Sequence, residues 1–96
     1  MLVVVATMVV QPDKVQEFEA VFKEMTAQVR SSEPDTIYYQ LTRSRTAANT
    51  YVIVETYASQ AAFDAHMAAP AFQAAFPKFA PLLAEEPSAD FLDAVV

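Results

Sequence analysis

Glycine is missing from all 96 residues of the chain. Phosphate-cradling loops, the dinucleotide-binding fingerprint and the glycine-flanked serine elbow all need backbone positions without a Cβ, so none of them can be built here. Cysteine is missing too. That excludes disulfides, thiolate nucleophiles and cysteine-held metals, and it fits a reducing, cytoplasmic setting. Histidine occurs once, at His66. One histidine without cysteine cannot furnish a two-histidine facial triad or an ordinary zinc site, so no metal is expected. Basic residues are scarce: six Lys plus Arg against twelve Asp plus Glu leave a formal charge of -6. Such a surface repels phosphate backbones and anionic lipid, which argues against nucleic acid and membrane as partners. The longest largely apolar run, Leu2 to Val10, stops far short of the ~20 residues of a spanning helix. It also lacks the basic flank and cleavage site of a signal peptide, and a soluble, cytoplasmic protein is the expectation.

What is present is apolar. Hydrophobic residues make up 54% of the chain, more than one small core absorbs in a domain that can hide about two thirds of its unfolded surface. With no repeat, linker or low-complexity tract, residues 1–96 read as a single domain.

Leu2 to Val10 is rich in β-branched residues and apolar on both alternating faces, the pattern of a strand buried on both sides. Pro12 and Asp13 end it, and Asp13 with Gln16 three residues later resembles a capping box. Val15, Phe18, Phe22, Met25 and Val29 then follow at helical spacing. Ser31 to Asp35 reads as a turn in which Pro34 forces Glu33 out of helical geometry. Ile37, Tyr39 and Leu41 alternate with Tyr38, Gln40 and Thr42 in a second strand ending near Arg43. Ser44 to Thr50 is a hairpin loop, and Tyr51 to Tyr57 is a third strand. Ser59 is the expected cap of a helix from Gln60 to about Ala68. Pro70 opens another helical segment with a stripe of Phe72, Phe76, Phe79 and Leu83, kinked or broken by Pro77 and Pro81. Ala89 to Val96 is the expected last strand.

The order strand, helix, strand, strand, helix, strand predicts an α+β, ferredoxin-like split βαβ fold with an antiparallel four-stranded sheet. Helices cover one face of such a sheet. Its other face carries so many valines that leaving it in water would expose an unusually large apolar patch, which predicts sheet-on-sheet homodimerisation.

The run Tyr51-Val52-Ile53-Val54-Glu55-Thr56-Tyr57, then Ala61-Ala62-Phe63-Asp64-Ala65-His66, then Pro70-Ala71-Phe72-Gln73, resembles the signature segment of the antibiotic biosynthesis monooxygenase family. The opening strand, the Pro12 turn and the Glu33-Pro34 turn before Tyr38-Tyr39 match as well, so the likeness spans nearly the whole chain. Asp35 departs from the glycine common after that turn. The resemblance implies a dimeric α+β barrel with a pocket between sheet and helices in each subunit. It also implies oxidation of a phenol, quinol or anthrone-like compound by O2 with no cofactor. The haem-degrading branch of the family carries an asparagine on the first strand and a histidine ligand on a later helix. Here the first strand has no asparagine and the later position holds Phe76, which disfavours haem.

Within that frame His66 and Glu55 are the candidate catalytic residues. An imidazole is the natural proton acceptor at neutral pH, and a deprotonated phenol is electron-rich enough to reduce O2. The plainer reading of His66 is a histidine hydrogen-bonded into structure. Glu55, in mid-strand, either faces the pocket, where it could orient His66, or sits at the dimer seam as a paired charge. Tyr39, Tyr51 and Tyr57 could offer hydroxyls to a small aromatic substrate, and Phe63, Phe72 and Phe76 could wall its rings, although aromatic stripes usually form plain core. Arg43 and Arg45 could attract an anionic substrate or simply end a strand. The alternative to catalysis is a barrel that binds a small apolar ligand, since one scaffold hosts unrelated functions.

Overall fold

The computed structural model describes residues Met1–Val96. Its elements run β1 (Leu2–Val9), α1 (Val15–Ser32), β2 (Thr36–Arg43), β3 (Thr50–Tyr57), α2 (Gln60–Ala68), α3 (Pro70–Phe79) and β4 (Ser88–Asp93), with a 3-10 turn at Ala80–Leu82 between the last two. The sheet order is β2-β3-β1-β4, with every neighbouring pair antiparallel. This is the ferredoxin-like α+β arrangement expected from the order of elements.

Alternation along β3 decides which residues meet the helices. Tyr51, Ile53, Glu55 and Tyr57 are buried beneath them, while Val52, Val54 and Thr56 lie half-buried on the far face. Along β1 only Val4 is buried. The expectation of burial on both sides fails within one chain, because no layer of the same chain covers Val3, Val5 and Thr7. On β2 the register slips between Thr36 and Tyr38. That irregularity turns Ile37 outward, so Tyr39 is buried and Leu41 packs against the core while Ile37 is 55% exposed.

Helix α1 buries Phe18, Phe22, Met25, Thr26 and Val29 against the sheet. Phe18 and Phe22 lie 4.7 Å apart, and Phe22 meets Phe79 of α3 at 4.9 Å. Burying a phenylalanine is worth about 1.5–3 kcal/mol, so this aromatic group carries a large part of the core. The capping box does not form. Asp13 belongs to the turn one residue ahead of the cap position, which falls on Lys14, and no side chain accepts a bond there. Ser31 and Ser32 extend the helix instead of turning it, and Glu33 ends it with non-helical geometry (φ -121°, ψ 83°), since the following Pro34 disfavours the helical region there.

The hairpin between β2 and β3 turns without glycine. Asn49 takes the left-handed conformation (φ 56°), which asparagine tolerates better than most residues. Ser59 caps α2 as expected, its Oγ accepting from the Ala62 N–H. Helix α3 runs through Pro77 and gives way at Ala80. Its buried stripe is Ala71, Ala75 and Phe79, the two alanines letting it lie close on α1, while Phe72 and Phe76 turn toward the sheet side. Strand β4 stops at Asp93, short of the expected Val96, and all of its residues are exposed.

Candidate functional site

A cavity of about 250 Å3 lies between the helix-facing side of the sheet and the helices. Most of its wall is apolar. Val4, Ala6 and Met8 of β1, Ile53 of β3, Phe22 and Met25 of α1, and Phe63, Phe72, Phe76 and Phe79 from the later helices contribute, with Phe91 closing the β4 side. Phe63 and Phe91 meet edge to face at 5.4 Å across it. Four polar side chains interrupt this wall: Tyr39, Glu55 and His66 close together, and Ser88 at the β4 edge.

Their closeness follows from register. Tyr39 of β2 pairs with Glu55 of β3, and Val4 of β1 sits on the other side of Glu55. Above that pair α2 lowers His66, which is 2% exposed, onto the rings of Tyr39 (5.2 Å) and Tyr57 (5.4 Å). Glu55 thus faces the helices and the cavity, and its strand parity is settled.

His66 Nδ1 lies 2.7 Å from Glu33 Oε1. A carboxylate accepts, so the neutral imidazole carries its proton on Nδ1 and donates it to Glu33, which leaves the Nε2 lone pair free. Nε2 makes no hydrogen bond within the chain. Glu33 Oε1 also accepts from the Thr36 hydroxyl at 3.1 Å, whereas its Oε2 is buried without a partner, so all of the carboxylate's bonding falls on the oxygen that holds the histidine. A second hollow of about 250 Å3, bordered by Glu33, Asp35 and Thr36, lies on the outer side of this pair, so His66 forms part of the partition between the two.

The expected partnership of Glu55 with His66 does not occur. Glu55 Oε1 accepts from the Tyr57 hydroxyl at 2.5 Å, two residues along the same face of β3. Burial pushes the Glu55 carboxyl up to about 7, against the lowering effect of the Tyr57 hydrogen bond. Burial likewise raises the phenols of Tyr39 and Tyr57, helped by the nearby carboxylates, so both remain protonated donors at neutral pH.

Of the residues named from the sequence, His66, Glu55, Tyr39, Phe63, Phe72 and Phe76 border the cavity together. Tyr57 stands behind them, bonded to Glu55 and stacked near His66 and Phe63. Tyr51 lies elsewhere. Its hydroxyl donates to Glu19 Oε2 at 2.5 Å in an open polar groove of about 410 Å3 between α1 and the β2–β3 edge. Arg43 lines the same groove and pairs with Glu19 at 3.5 Å, away from the apolar cavity. Sequence reasoning missed Glu33 as a partner of His66, and missed Phe91. The signal for Glu33 was its proline, which holds a carboxylate out of helical geometry at the end of α1.

No curated protein matches the chain. Among solved structures, a Caulobacter crescentus CB15 protein, provisionally named an antibiotic biosynthesis monooxygenase, is 43% identical. It superposes with a TM-score of 0.96 over 99% of this chain and 90% of its own. A Nitrosomonas europaea protein, provisionally named in the same way, shares the fold with a TM-score of 0.93 at 20% identity over the full length of both chains. A Mycobacterium tuberculosis protein shares it at 0.90 and 23% identity, over 99% of this chain and 95% of its own. Residues 1–78 match the family model described as antibiotic biosynthesis monooxygenase. With that match and the 43% identical relative, the chain belongs to the antibiotic biosynthesis monooxygenase family.

Proposed function

We propose that this protein is a cofactor-independent monooxygenase that oxidises a small phenol-, quinol- or anthrone-like aromatic with O2. One observation carries the reading: an imidazole fixed by Glu33 through Nδ1, with Nε2 unbonded, on a largely apolar cavity. Family membership and the provisional name of the 43% identical relative support the reaction class.

In this reaction Nε2 of His66 takes the proton of the substrate hydroxyl, or of the acidic CH2 of an anthrone. The resulting anion passes one electron to O2. The substrate radical and superoxide then combine, forming a C–O bond to a peroxide. Cleavage of the O–O bond, with loss of the remaining hydrogen on that carbon and return of the proton from His66, releases water and leaves a carbonyl. A CH2 or ring CH and O2 thereby become C=O or its enol and H2O, with the substrate supplying all the electrons. The apolar wall keeps water sparse around the buried corner that holds His66, which strengthens the contact between the anion and the protonated imidazole. Glu33 stabilises that imidazolium without touching substrate.

The protein is further proposed to work as a homodimer in the cytoplasm. Val3, Val5, Val52 and Val54 lie on the sheet face that no helix covers, with Leu92 beside them at 49% exposure. No helix is long and apolar enough to cross a membrane.

The test is O2 consumption by the purified protein with a panel of phenols, quinols and anthrones. The expected result is uptake above the buffer rate with at least one substrate, reduced by about 100-fold or more in His66→Ala. Uptake that His66→Ala leaves unchanged would remove the histidine from the chemistry. Tight binding without uptake would point instead to a ligand-binding barrel.

A further inference from the structure

Apart from Ser88 at the β4 edge, the polar side chains that border the cavity are gathered in one corner. Reading across the sheet on its helix-facing side, one row runs Tyr39, Glu55, Val4, Phe91, and the next runs Leu41, Ile53, Ala6, Ala89. Only the β2–β3 half of the first row is polar, and His66 descends from α2 onto that same half. Toward β1 and β4 the row turns apolar. Met67, Phe76 and Phe91, exposed by 38%, 50% and 56%, mark the side where the cavity opens to solvent. Ser88 also borders this side, but it pairs with Thr7 and shares its far-face parity. No Lys or Arg borders the cavity.

We infer that the ligand is an uncharged aromatic with its oxygens side by side on one edge, as in a vicinal diol or hydroxy-ketone, and an apolar remainder facing β4. This rests on the reading of His66 as the base and deepens it. Two neighbouring oxygens can be served at once. One donates to His66 Nε2, and the other exchanges hydrogen bonds with the Tyr39 hydroxyl and with Glu55 Oε2, neither of which has a partner within the chain. An oxygen at the opposite end of the ring system would lose its water against phenylalanine and methionine with nothing in return. A carboxylate or sulfonate would meet Glu55 and no cation.

Two isomers separate the arrangements without changing composition. Binding of naphthalene-2,3-diol and naphthalene-2,6-diol is measured by calorimetry under nitrogen, with 3-hydroxy-2-naphthoate as the charged comparison. The 2,3-diol is expected to bind at least about tenfold more tightly than the 2,6-diol, the effect of one buried hydrogen bond gained and one penalty avoided. It should also bind more tightly than the naphthoate. Tyr39→Phe and Glu55→Gln should each shrink the preference between the diols. Equal affinities, a preference for the 2,6-diol or the naphthoate, no binding by either diol, or a preference untouched in both variants would overturn the inference. Without O2 the binding preference stands or falls apart from turnover. A 2,3-diol bound tightly, with neither it nor any member of the phenol, quinol and anthrone panel oxidised in air, would defeat the monooxygenase reading and leave the ligand class intact.

Discussion

Glu55 is a carboxyl held in an apolar wall, and its cost depends on pH. Its group is pushed up to about 7 in the fold, from an ordinary value of 4.5. The folded state therefore holds the proton more tightly than the unfolded chain. Its contribution to stability is whole below pH 4.5, falls as pH rises, and is lost once pH passes through 7. At about 1.4 kcal/mol per tenfold change in the ionisation constant, the loss is on the order of 3 kcal/mol. Urea denaturation of the wild type and of Glu55→Gln, each at pH 5 and pH 8, checks this. The wild type should lose stability relative to the variant between the two values, and parallel behaviour would contradict the burial of the charge. Glu33 works at the same scale. Glu33→Gln keeps the size of the side chain but lets its amide face Nδ1 with a donor, which favours the wrong tautomer. We expect kcat/KM to fall by about tenfold or more with KM little changed. Neither carboxylate's partner was legible from spacing. Glu33 and His66 are 33 residues apart and meet only because α1 ends where α2 crosses β2 and β3, whereas Tyr57, two positions from Glu55, takes the bond expected of His66.

Local chemistry set most elements, and tertiary packing set their edges. The cap at Ser59, the non-helical Glu33 before Pro34 and the alternation of β3 follow from rules that act within a few residues, and all three are present. The cap at Asp13, the outward turn of Ile37 and the early end of β4 depend on how a turn meets a helix, on a bulge and on an edge partner, none of which alternation encodes. On α3 the phenylalanine spacing predicts the buried stripe only at Phe79, and Ala71 and Ala75 complete the face toward α1, because periodicity reports a face and not the gap it must fill. Ser59→Ala should cost about 1 kcal/mol by thermal or urea unfolding, since it leaves an N–H at the start of α2 without its acceptor. Because α2 carries His66, activity should decline alongside stability. At the hairpin, Asn49→Ala should destabilise by about 1 kcal/mol while Asn49→Gly stays near neutral, as a left-handed φ of 56° demands. Equal effects of the two changes would mean that the turn relaxes.

At the scale of the whole chain, one sheet has two very different faces. Helices and cavity occupy one, and Val3, Val5, Val52 and Val54 are left on the other. Sedimentation at micromolar concentration should give twice the 10.6 kDa chain mass. Val54→Lys, which puts a charge in the middle of that face, should yield the monomer. A well-folded wild-type monomer would contradict the pairing. The functional account itself turns on the single histidine, which the composition makes easy to see, since every imidazole signal from the protein belongs to His66. Nitrogen-15 NMR of the protein labelled at histidine, at a pH where the ring is neutral, therefore reads the site directly. The account predicts a proton on Nδ1, a bare Nε2, and an Nε2 signal that moves when a phenolic ligand enters the cavity. A neutral ring protonated on Nε2, or an Nε2 indifferent to the ligand, would contradict it.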